Sequence, residues 1–290
     1  MKLFITGSDG FIGSELIAQC KKQGIECVGA DVKSGLDIRS KEVAAMIPEN
    51  ADAVVHLAGL SRDADCKNRP YECFETNVMG TLNLMRCAAE KRAKQFIFAS
   101  SEWVYDSFPG GVEKDEDAAI NIANHTSEYA LSKLVSETNI RQQCARGFSA
   151  ATILRFGIIY GPRPAPGSAV ESIMHSAMRD SAVTVGSLKS GRRFVHVSDV
   201  ARGIIASIGQ SGFAIFNLTG DRVITLGDIV AASENILGKK VHVTETNPAE
   251  VSVRNPSNAK AQRVLGWRPT VDLAAGLQSL LEIYSHGGAV

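Results

Sequence analysis

Short apolar runs alternate with longer amphipathic stretches through the first 160 residues of the chain. The apolar runs are typical of strands that are buried on both faces of a parallel sheet. They lie at Lys2 to Thr6, Glu26 to Ala30, Ala53 to Leu57, Gln95 to Ser100 and Ala151 to Phe156. Helices are predicted between them at Phe11 to Gln23, Lys41 to Ile47, Tyr71 to Lys91 and Ser127 to Arg146. The alternation predicts an α/β fold with a doubly wound parallel sheet and a ligand at the carboxyl ends of its strands.

A cluster of proline and glycine at residues 161–167 interrupts this pattern, because neither a helix nor a central strand accommodates it. A strand-helix-strand piece then follows at Arg193 to Ile208 and Ile215 to Thr219. We therefore expect two units. Residues 1–160 and 193–222 would form the sheet domain, and residues 161–192 and 223–290 a smaller, substrate-binding C-terminal lobe.

The charge balance argues against a nucleic acid or an anionic membrane as partner, since 31 Lys and Arg offset 31 Asp and Glu. The sequence also lacks an apolar run of the roughly 18 residues that a bilayer span needs, and it enters a strand pattern at once. Its six cysteines are scattered and its six histidines isolated, which favours reduced thiols in a cytoplasmic protein and disfavours a metal site.

A glycine-rich turn joins the first predicted strand to the first helix, with Gly7, Gly10 and Gly13 at positions one, four and seven. Such a turn lets the backbone and the helix amides approach a pyrophosphate. Phe11 and Ile12 begin the helix. Asp31 ends the next strand, about 20 residues downstream, where a carboxylate binds an adenosine ribose. Asp31 favours NAD as the cofactor, while the nearby Lys33 leaves NADP as an alternative.

Asp37 and Ile38 are candidates for lining the adenine, with the carboxylate accepting from the exocyclic amine. A solvated loop acid is an equally good interpretation of Asp37 from its spacing alone.

Tyr129 and Lys133 lie four residues apart and therefore share one face of a helix. A nearby cation lowers the pKa of a phenol, so the pair is a candidate proton acceptor for an alcohol that is being oxidised. A half-buried tyrosine beside a solvated lysine is the ordinary alternative. The glycine turn upstream, and Ser100 and Ser101 at the end of the fourth strand, favour the catalytic interpretation.

These motifs stand in the order found in one family of enzymes. Besides the glycine turn and Tyr129xxxLys133, they are His56-Leu57-Ala58-Gly59, Asn77-Val78-Met79-Gly80-Thr81, Ser100 to Tyr105, Leu154 to Phe156, Tyr160 to Arg163, Arg192 to Val197 and Leu265 to Pro269. The chain resembles the extended short-chain dehydrogenase/reductases, and more narrowly the NAD-dependent epimerase/dehydratase family. The resemblance implies a Rossmann domain, NAD as cofactor and a sugar or nucleotide-sugar as substrate.

The resemblance also implies roles for individual residues. Tyr129 would be the general base or acid, Lys133 would hold the nicotinamide ribose and lower the pKa of Tyr129, and Ser101 would bind the reacting hydroxyl. Further cofactor contacts are expected from Leu57, Ala58, Gly59, Asn77, Ser100, Phe156 and Gly157. Further substrate contacts are expected from Ser61, Glu102 and Arg192, although a surface arginine is an equal interpretation of Arg192.

Three departures from the family's pattern concern the substrate. Ile158 stands where the family usually has Asn, and Asn247 to Glu250 lack the arginine of a nucleotide-contacting segment. Trp103 replaces the second carboxylate of the dehydratases, which makes dehydration less favoured than epimerisation or simple oxidation and leaves Glu102 to orient a substrate hydroxyl. His196, in an apolar strand, is interpreted as a satisfied core histidine.

The leading hypothesis is thus a nucleotide-sugar or sugar epimerase. Its rivals are a one-way dehydrogenase or reductase of a small sugar, sugar acid or hydroxy acid, and a non-catalytic NAD(H)-binding regulator. Apolar residues on several faces of the helices at 71–91 and 127–146 further predict a homodimer.

Overall fold

The computed structural model describes residues 1–286, in which six strands form one parallel sheet. The strands along the chain are β1 (Lys2–Thr6), β2 (Glu26–Ala30), β3 (Ala53–His56), β4 (Phe96–Ser101), β5 (Ala150–Phe156), β6 (Ile159–Tyr160), β7 (Ala182–Val185), β8 (Gly191–Arg192), β9 (Val195–His196), β10 (Gly212–Leu218), β11 (Ile224–Thr225), β12 (His242–Glu245) and β13 (Val253–Arg254). The central sheet has the order β10-β5-β4-β3-β1-β2, which confirms the predicted fold class.

Helices cover both faces of this sheet. They are α1 (Phe11–Lys22), α2 (Val43–Met46), α3 (Asp63–Cys66), α4 (Pro70–Phe74), α5 (Gly80–Glu90), α6 (Glu128–Ala145), α7 (Ala169–Asp180), α8 (Val197–Ala206), α9 (Leu226–Leu237), α10 (Ala259–Leu265) and α11 (Leu273–His286). The strand order reverses between β1 and β3, and at such a switch point the crevice beyond the carboxyl ends takes the ligand.

Successive residues of β1 point to opposite faces and enter different cores. Leu3 and Ile5 pack with α1 and α8, whereas Phe4 packs with α2 and α5 on the other face. All three side chains are fully buried. Burial on both faces explains why the runs that predicted these strands are continuously apolar.

The predicted helix at Tyr71 to Lys91 is wrong in one respect, because it is interrupted. A π-helical turn (Glu75–Met79) separates α4 from α5, and it carries Asn77. Such turns insert one residue into the helical ladder and are frequent at functional sites. The prediction at Lys41 to Ile47 is also too long, since only Val43–Met46 is α-helical.

A third apolar core lies among the elements after residue 160, which include α7, α9 and α11. A three-stranded sheet, β11-β8-β13, lies in the same part of the chain and sets Arg192 directly beside Arg254. Residues 287–290 of the predicted C-terminal lobe lie outside the described residues.

Three further findings concern membrane-spanning helices, metal-binding groups and His196. Within residues 1–286, no helix is long and apolar enough to cross a membrane. The same residues contain no group of three or more His, Cys, Asp or Glu side chains that could hold a metal ion. The prediction of a satisfied His196 is wrong: its Nδ1 lies 2.7 Å from Ser198 Oγ, but its buried Nε2 has no partner in the described chain.

Candidate active site

The glycine turn after β1 is built as the sequence predicts. Gly7 has a φ of +72°, and a Cβ at Gly13 would collide with the carbonyl oxygen of Gly7. Gly10 is the N-cap of α1 and, having no side chain, leaves the first amides of the helix uncapped by any side chain within the described residues. Because these amides carry the positive end of the helix dipole, the turn fits a pyrophosphate.

Asp31 lies at the carboxyl end of β2 and is buried. One carboxylate oxygen accepts from the backbone N–H of Asp9 (3.1 Å) and the other from that of Lys33 (3.0 Å). Each oxygen keeps a lone pair for a ribose hydroxyl. The Lys33 ammonium donates to the carbonyl of Asp9 (3.2 Å), beside the same carboxylate.

Asp37 and Ile38 lie next to the start of α5. The guanidinium of Arg39 hydrogen-bonds both carboxylate oxygens of Asp37 and holds the pKa of that carboxyl below its usual range. The structure thus gives Asp37 a partner that the sequence interpretation did not include. Ile38 is buried, and its Cδ1 lies 2.8 Å from where a Cβ of Gly80 would be.

The loop after β3 is held by Asn77, which is itself hydrogen-bonded to a residue of α6. Asn77, in the π turn, accepts from the backbone N–H of Leu60 (2.8 Å) and donates to its carbonyl (3.0 Å). It also donates to Ser132 Oγ in α6 (3.0 Å). A Cβ at Gly59 would lie 2.8 Å from Asn77 Oδ1, so Gly59 passes close to this amide, while the backbone of Leu57 and Ala58 passes close to Gly7.

His56 anchors the base of the loop. Its ring nitrogens lie 2.9 Å from the hydroxyls of Thr6 and Thr81, and complete burial lowers its pKa to about 3. The imidazole is therefore neutral and acts as a fixed hydrogen-bonding group between β1 and α5.

Tyr129 and Lys133 share a face of α6 and are both buried, as predicted for neighbouring functional groups. Ser101, at the end of β4, is close enough to the phenol to lower the pKa of Tyr129. The Lys133 ammonium donates to the carbonyl of Ala99 (2.9 Å) and lies 5.9 Å from the centre of the Tyr129 ring. The structure therefore brings together the three predicted catalytic side chains.

The expected effect of Lys133 on the phenol is wrong for this structure. Burial raises the pKa of Tyr129 to about 12, and the nearby Ser101 offsets this only in part. Burial also lowers the pKa of Lys133 to about 8. Desolvation is the largest effect at both groups, so the phenol is protonated at neutral pH and is ready to donate.

Ser100 is directed away from this group. Its hydroxyl donates to Glu137, whose carboxylate also accepts from Arg155 Nε (3.0 Å) and Nη2 (2.7 Å). The Ser100 hydroxyl is thus engaged in a buried structural contact, and its cofactor contact stays a prediction. Phe156 ends β5 in the core, and Gly157 donates to the carbonyl of Leu218 (3.1 Å).

Glu102 follows Ser101 and is completely buried. Arg254 Nε lies 3.2 Å from its Oε1. Burial raises the pKa of Glu102 to about 7, although Arg254 and Arg192 oppose this shift. Arg192 donates to the carbonyls of Gly191 (2.8 Å) and Ser252 (2.6 Å). Ser61 is exposed and follows the β3 loop.

Sequence reasoning missed Glu137 and Arg254. Glu137 repeats the four-residue spacing from Tyr129 through Lys133, and this spacing was a usable signal for a residue on the same helix face. Arg254 reaches the site from 152 residues downstream, and local sequence carries no sign of such a contact.

Together these groups provide a helix end without a side-chain cap, a buried carboxylate and a buried phenol near a serine. That set can bind a dinucleotide and move a proton on or off a substrate hydroxyl. The glycine turn and Asp31 fit NAD.

Comparisons with known proteins agree with this chemistry. The model of the NAD dependent epimerase/dehydratase family matches residues 3–218. The chain is 27% identical to UDP-glucose 4-epimerase of Pisum sativum over 92% of this chain and 91% of that protein. It is 26% identical to UDP-glucuronate 4-epimerase of Thermodesulfobacterium geofontis over 78% of this chain and 70% of that protein.

A solved structure of MoeE5 in complex with UDP-glucose and NAD superimposes with a TM-score of 0.86, at 25% identity and with both chains covered completely. Since the family model covers well over half of the sequence, this chain belongs to the NAD-dependent epimerase/dehydratase family and is an enzyme that uses NAD.

Proposed function

We propose that this chain is an epimerase of nucleoside-diphosphate sugars that inverts a carbinol carbon by oxidation and reduction. The observation that carries the proposal is the buried Tyr129 of α6 beside Ser101 at the carboxyl end of β4, with the NAD-type glycine turn after β1 at the same edge of the sheet. The relatives named for UDP-sugar epimerisation support this substrate class.

In the mechanism that we propose, Tyr129 Oη exchanges a proton with the reacting hydroxyl while Ser101 Oγ hydrogen-bonds the same oxygen. A bound NAD would supply the hydride acceptor for the oxidation and the hydride donor for the reduction, which inverts the carbon when the hydride returns to its other face. Tyr129 can accept a proton only as a phenolate, and the positive charge of an oxidised nicotinamide would favour that form. The return step uses the protonated phenol, which is the form that the structure favours at neutral pH.

The cofactor would be held at three places. The amides after Gly10 would bind the pyrophosphate, Asp31 the adenosine ribose and Lys133 the nicotinamide ribose, with Asn77 fixing the loop between them. Asp37, Ile38, Phe156 and Gly157 remain predicted cofactor contacts. Ser61, Glu102 and Arg192 remain predicted substrate contacts, with Arg192 assigned to a phosphate.

The test is product analysis with UDP-glucose and NAD. An epimerase converts UDP-glucose to UDP-galactose, detected by chromatography, without net absorbance at 340 nm. A one-way dehydrogenase instead forms NADH in proportion to the sugar oxidised. If the protein binds NAD but converts none of a panel of nucleotide sugars and free sugar acids, the result would support a non-catalytic NAD(H)-binding regulator. It would also refute the proposal of an epimerase.

We also propose a homodimer formed through α5 and α6. Met79 is 59% exposed at the start of α5, and Leu82, Leu131 and Val135 are only half-buried on the same pair of helices. Packing these side chains against a second copy would remove apolar surface from water. Light scattering at micromolar concentration should give twice the mass of the chain, and a monomer would reject the proposal.

Two further predictions remain proposals. We assign residues 1–160 and 193–222 to the NAD-binding domain and residues 161–192 and 223–290 to the substrate-binding lobe. We assign the protein to the cytoplasm because its six cysteines are free thiols in the described chain, and free thiols persist in a reducing compartment.

A further inference from the structure

Three buried polar atoms beside Ser101 have no hydrogen-bond partner among residues 1–286. They are Oε1 and Oε2 of Glu102 and Nε of Arg254. The 3.2 Å between Nε and Oε1 is a contact of opposite charges without hydrogen-bond alignment. Buried polar groups have a hydrogen-bond partner in the great majority of cases. Three atoms without a partner at one place, which we call the open atoms, therefore require an explanation.

The open atoms are held firmly in position. Arg254 Nη2 donates to the carbonyls of Glu102 (2.6 Å) and Tyr105 (2.8 Å). Its guanidinium lies 5.0 Å from the ring centre of Phe108 and 5.8 Å from that of Trp103. Arg254 therefore ties β13 to the turn that follows the catalytic strand, and its donor Nε is not free to swing elsewhere.

The chemistry of the open atoms selects their ligand. Two carboxylate oxygens need donors and one guanidinium nitrogen needs an acceptor. A hydroxyl group both donates and accepts, so a sugar hydroxyl can bridge Glu102 and Arg254. A carboxylate offers acceptors only, would be repelled by Glu102, and would find Arg254 Nη2 already used by two carbonyls.

We propose that Glu102 and Arg254 form a hydroxyl-binding subsite that selects neutral sugars over hexuronates. Arg254 is 17% exposed and lies over Glu102, so it is the first of the two groups that a substrate meets. The subsite rests on the proposed function, because it assumes a nucleoside-diphosphate sugar, and it narrows that class to sugars without a carboxylate.

The experiment measures kcat/KM for UDP-glucose and UDP-glucuronate, and the binding of UDP alone, with NAD-loaded protein at pH 7.5. Wild-type protein should prefer UDP-glucose by about tenfold or more, which corresponds to about 1.4 kcal/mol. Glu102→Gln keeps the shape but removes the repelling charge and one acceptor, so the preference should fall by about tenfold while UDP binds as before.

Arg254→Met should also lower kcat/KM for UDP-glucose by about tenfold, and Arg254→Lys should restore part of it. Glu113→Gln is the matched control, since Glu113 is also paired with an arginine, Arg193, but is half-exposed. This control should leave the ratio of kcat/KM for UDP-glucose to kcat/KM for UDP-glucuronate unchanged.

Two results would overturn the subsite while leaving the proposed function intact: a wild-type preference for UDP-glucuronate, or an unchanged ratio in Glu102→Gln. Absence of binding for UDP and for both sugar nucleotides would overturn the proposed function and the subsite together.

Discussion

Glu137 and Glu102 are two buried carboxyl groups beside the end of β4, and they differ in their partners. Glu137 accepts from Ser100 and twice from Arg155. Glu102 faces Arg254 at 3.2 Å without a hydrogen bond to either oxygen from the residues that the structure describes. Glu137 has a complete set of hydrogen-bond partners and is therefore structural. The two oxygens of Glu102 have no hydrogen-bond donor, which leaves them available to a ligand.

The largest expected difference is in stability. Glu137→Gln removes a charge from a buried ion pair and leaves the Arg155 guanidinium uncompensated, which should cost about 3–5 kcal/mol of unfolding free energy. Glu102→Gln should raise rather than lower the free energy of unfolding at pH 7.5, because the ionised Glu102 is itself poorly satisfied.

Urea unfolding followed by circular dichroism measures both changes. Glu49→Gln, in the exposed pair with Lys91, is the control and should leave the midpoint nearly unchanged. Equal losses of unfolding free energy in Glu137→Gln and Glu102→Gln would remove the distinction between the two carboxyl groups.

The next effect is the pH dependence of stability. Burial raises the pKa of Glu102 to about 7 against the opposing charges of Arg254 and Arg192, while an unfolded Glu titrates near ~4.3. Between these values the folded protein holds a proton that the unfolded chain has released, so the free energy of unfolding falls as pH rises through this window.

We expect this loss to be on the order of 3 kcal/mol in the wild type between about pH 4.5 and pH 7.5, and to be absent from Glu102→Gln. Urea unfolding at several pH values measures it. Parallel pH profiles for the two proteins would show that Glu102 has an ordinary pKa and that the contrast with Glu137 is misplaced.

The smallest effect concerns Asp31, a third buried carboxylate with an intermediate set of partners. Each of its oxygens accepts one backbone N–H, and the remaining lone pairs face the cofactor crevice in our account. Calorimetry should give NAD a preference over NADP of about tenfold, or about 1.4 kcal/mol, because Asp31 repels a 2′-phosphate.

Asp31→Asn should narrow that preference, since it removes the repelling charge. Asp52→Asn, at the amino end of the sheet beside Lys94, should leave it unchanged. Equal affinities of the wild type for the two cofactors would show that Lys33, whose ammonium lies nearby, controls this pocket instead.

The same carboxyl groups show what sequence can predict. The strands from β1 to β5 were predicted to within one residue at each end, because strands buried on both faces are continuously apolar. Asp31 and Tyr129xxxLys133 were predictable because their spacing is local. The interruption at Glu75–Met79 was not, since a π turn keeps a helical hydrophobic pattern.

Partners distant in sequence were the main omission. Glu102 was singled out, but its contact with Arg254 depends on how β13 pairs with β8, and Glu137 meets Arg155 only because α6 packs on β5. The lowering of the Tyr129 pKa was predicted from the proximity of Lys133, whereas burial, which depends on the whole fold, has the larger effect.

The central claim, that Tyr129 carries the proton in an NAD-dependent epimerisation, is tested most directly by Tyr129→Phe. This change removes the exchangeable proton and keeps the apolar packing, so turnover of UDP-glucose should fall about 100-fold or more while the Kd for NAD stays within about threefold. Near-normal turnover by a folded, NAD-binding Tyr129→Phe protein would contradict the account.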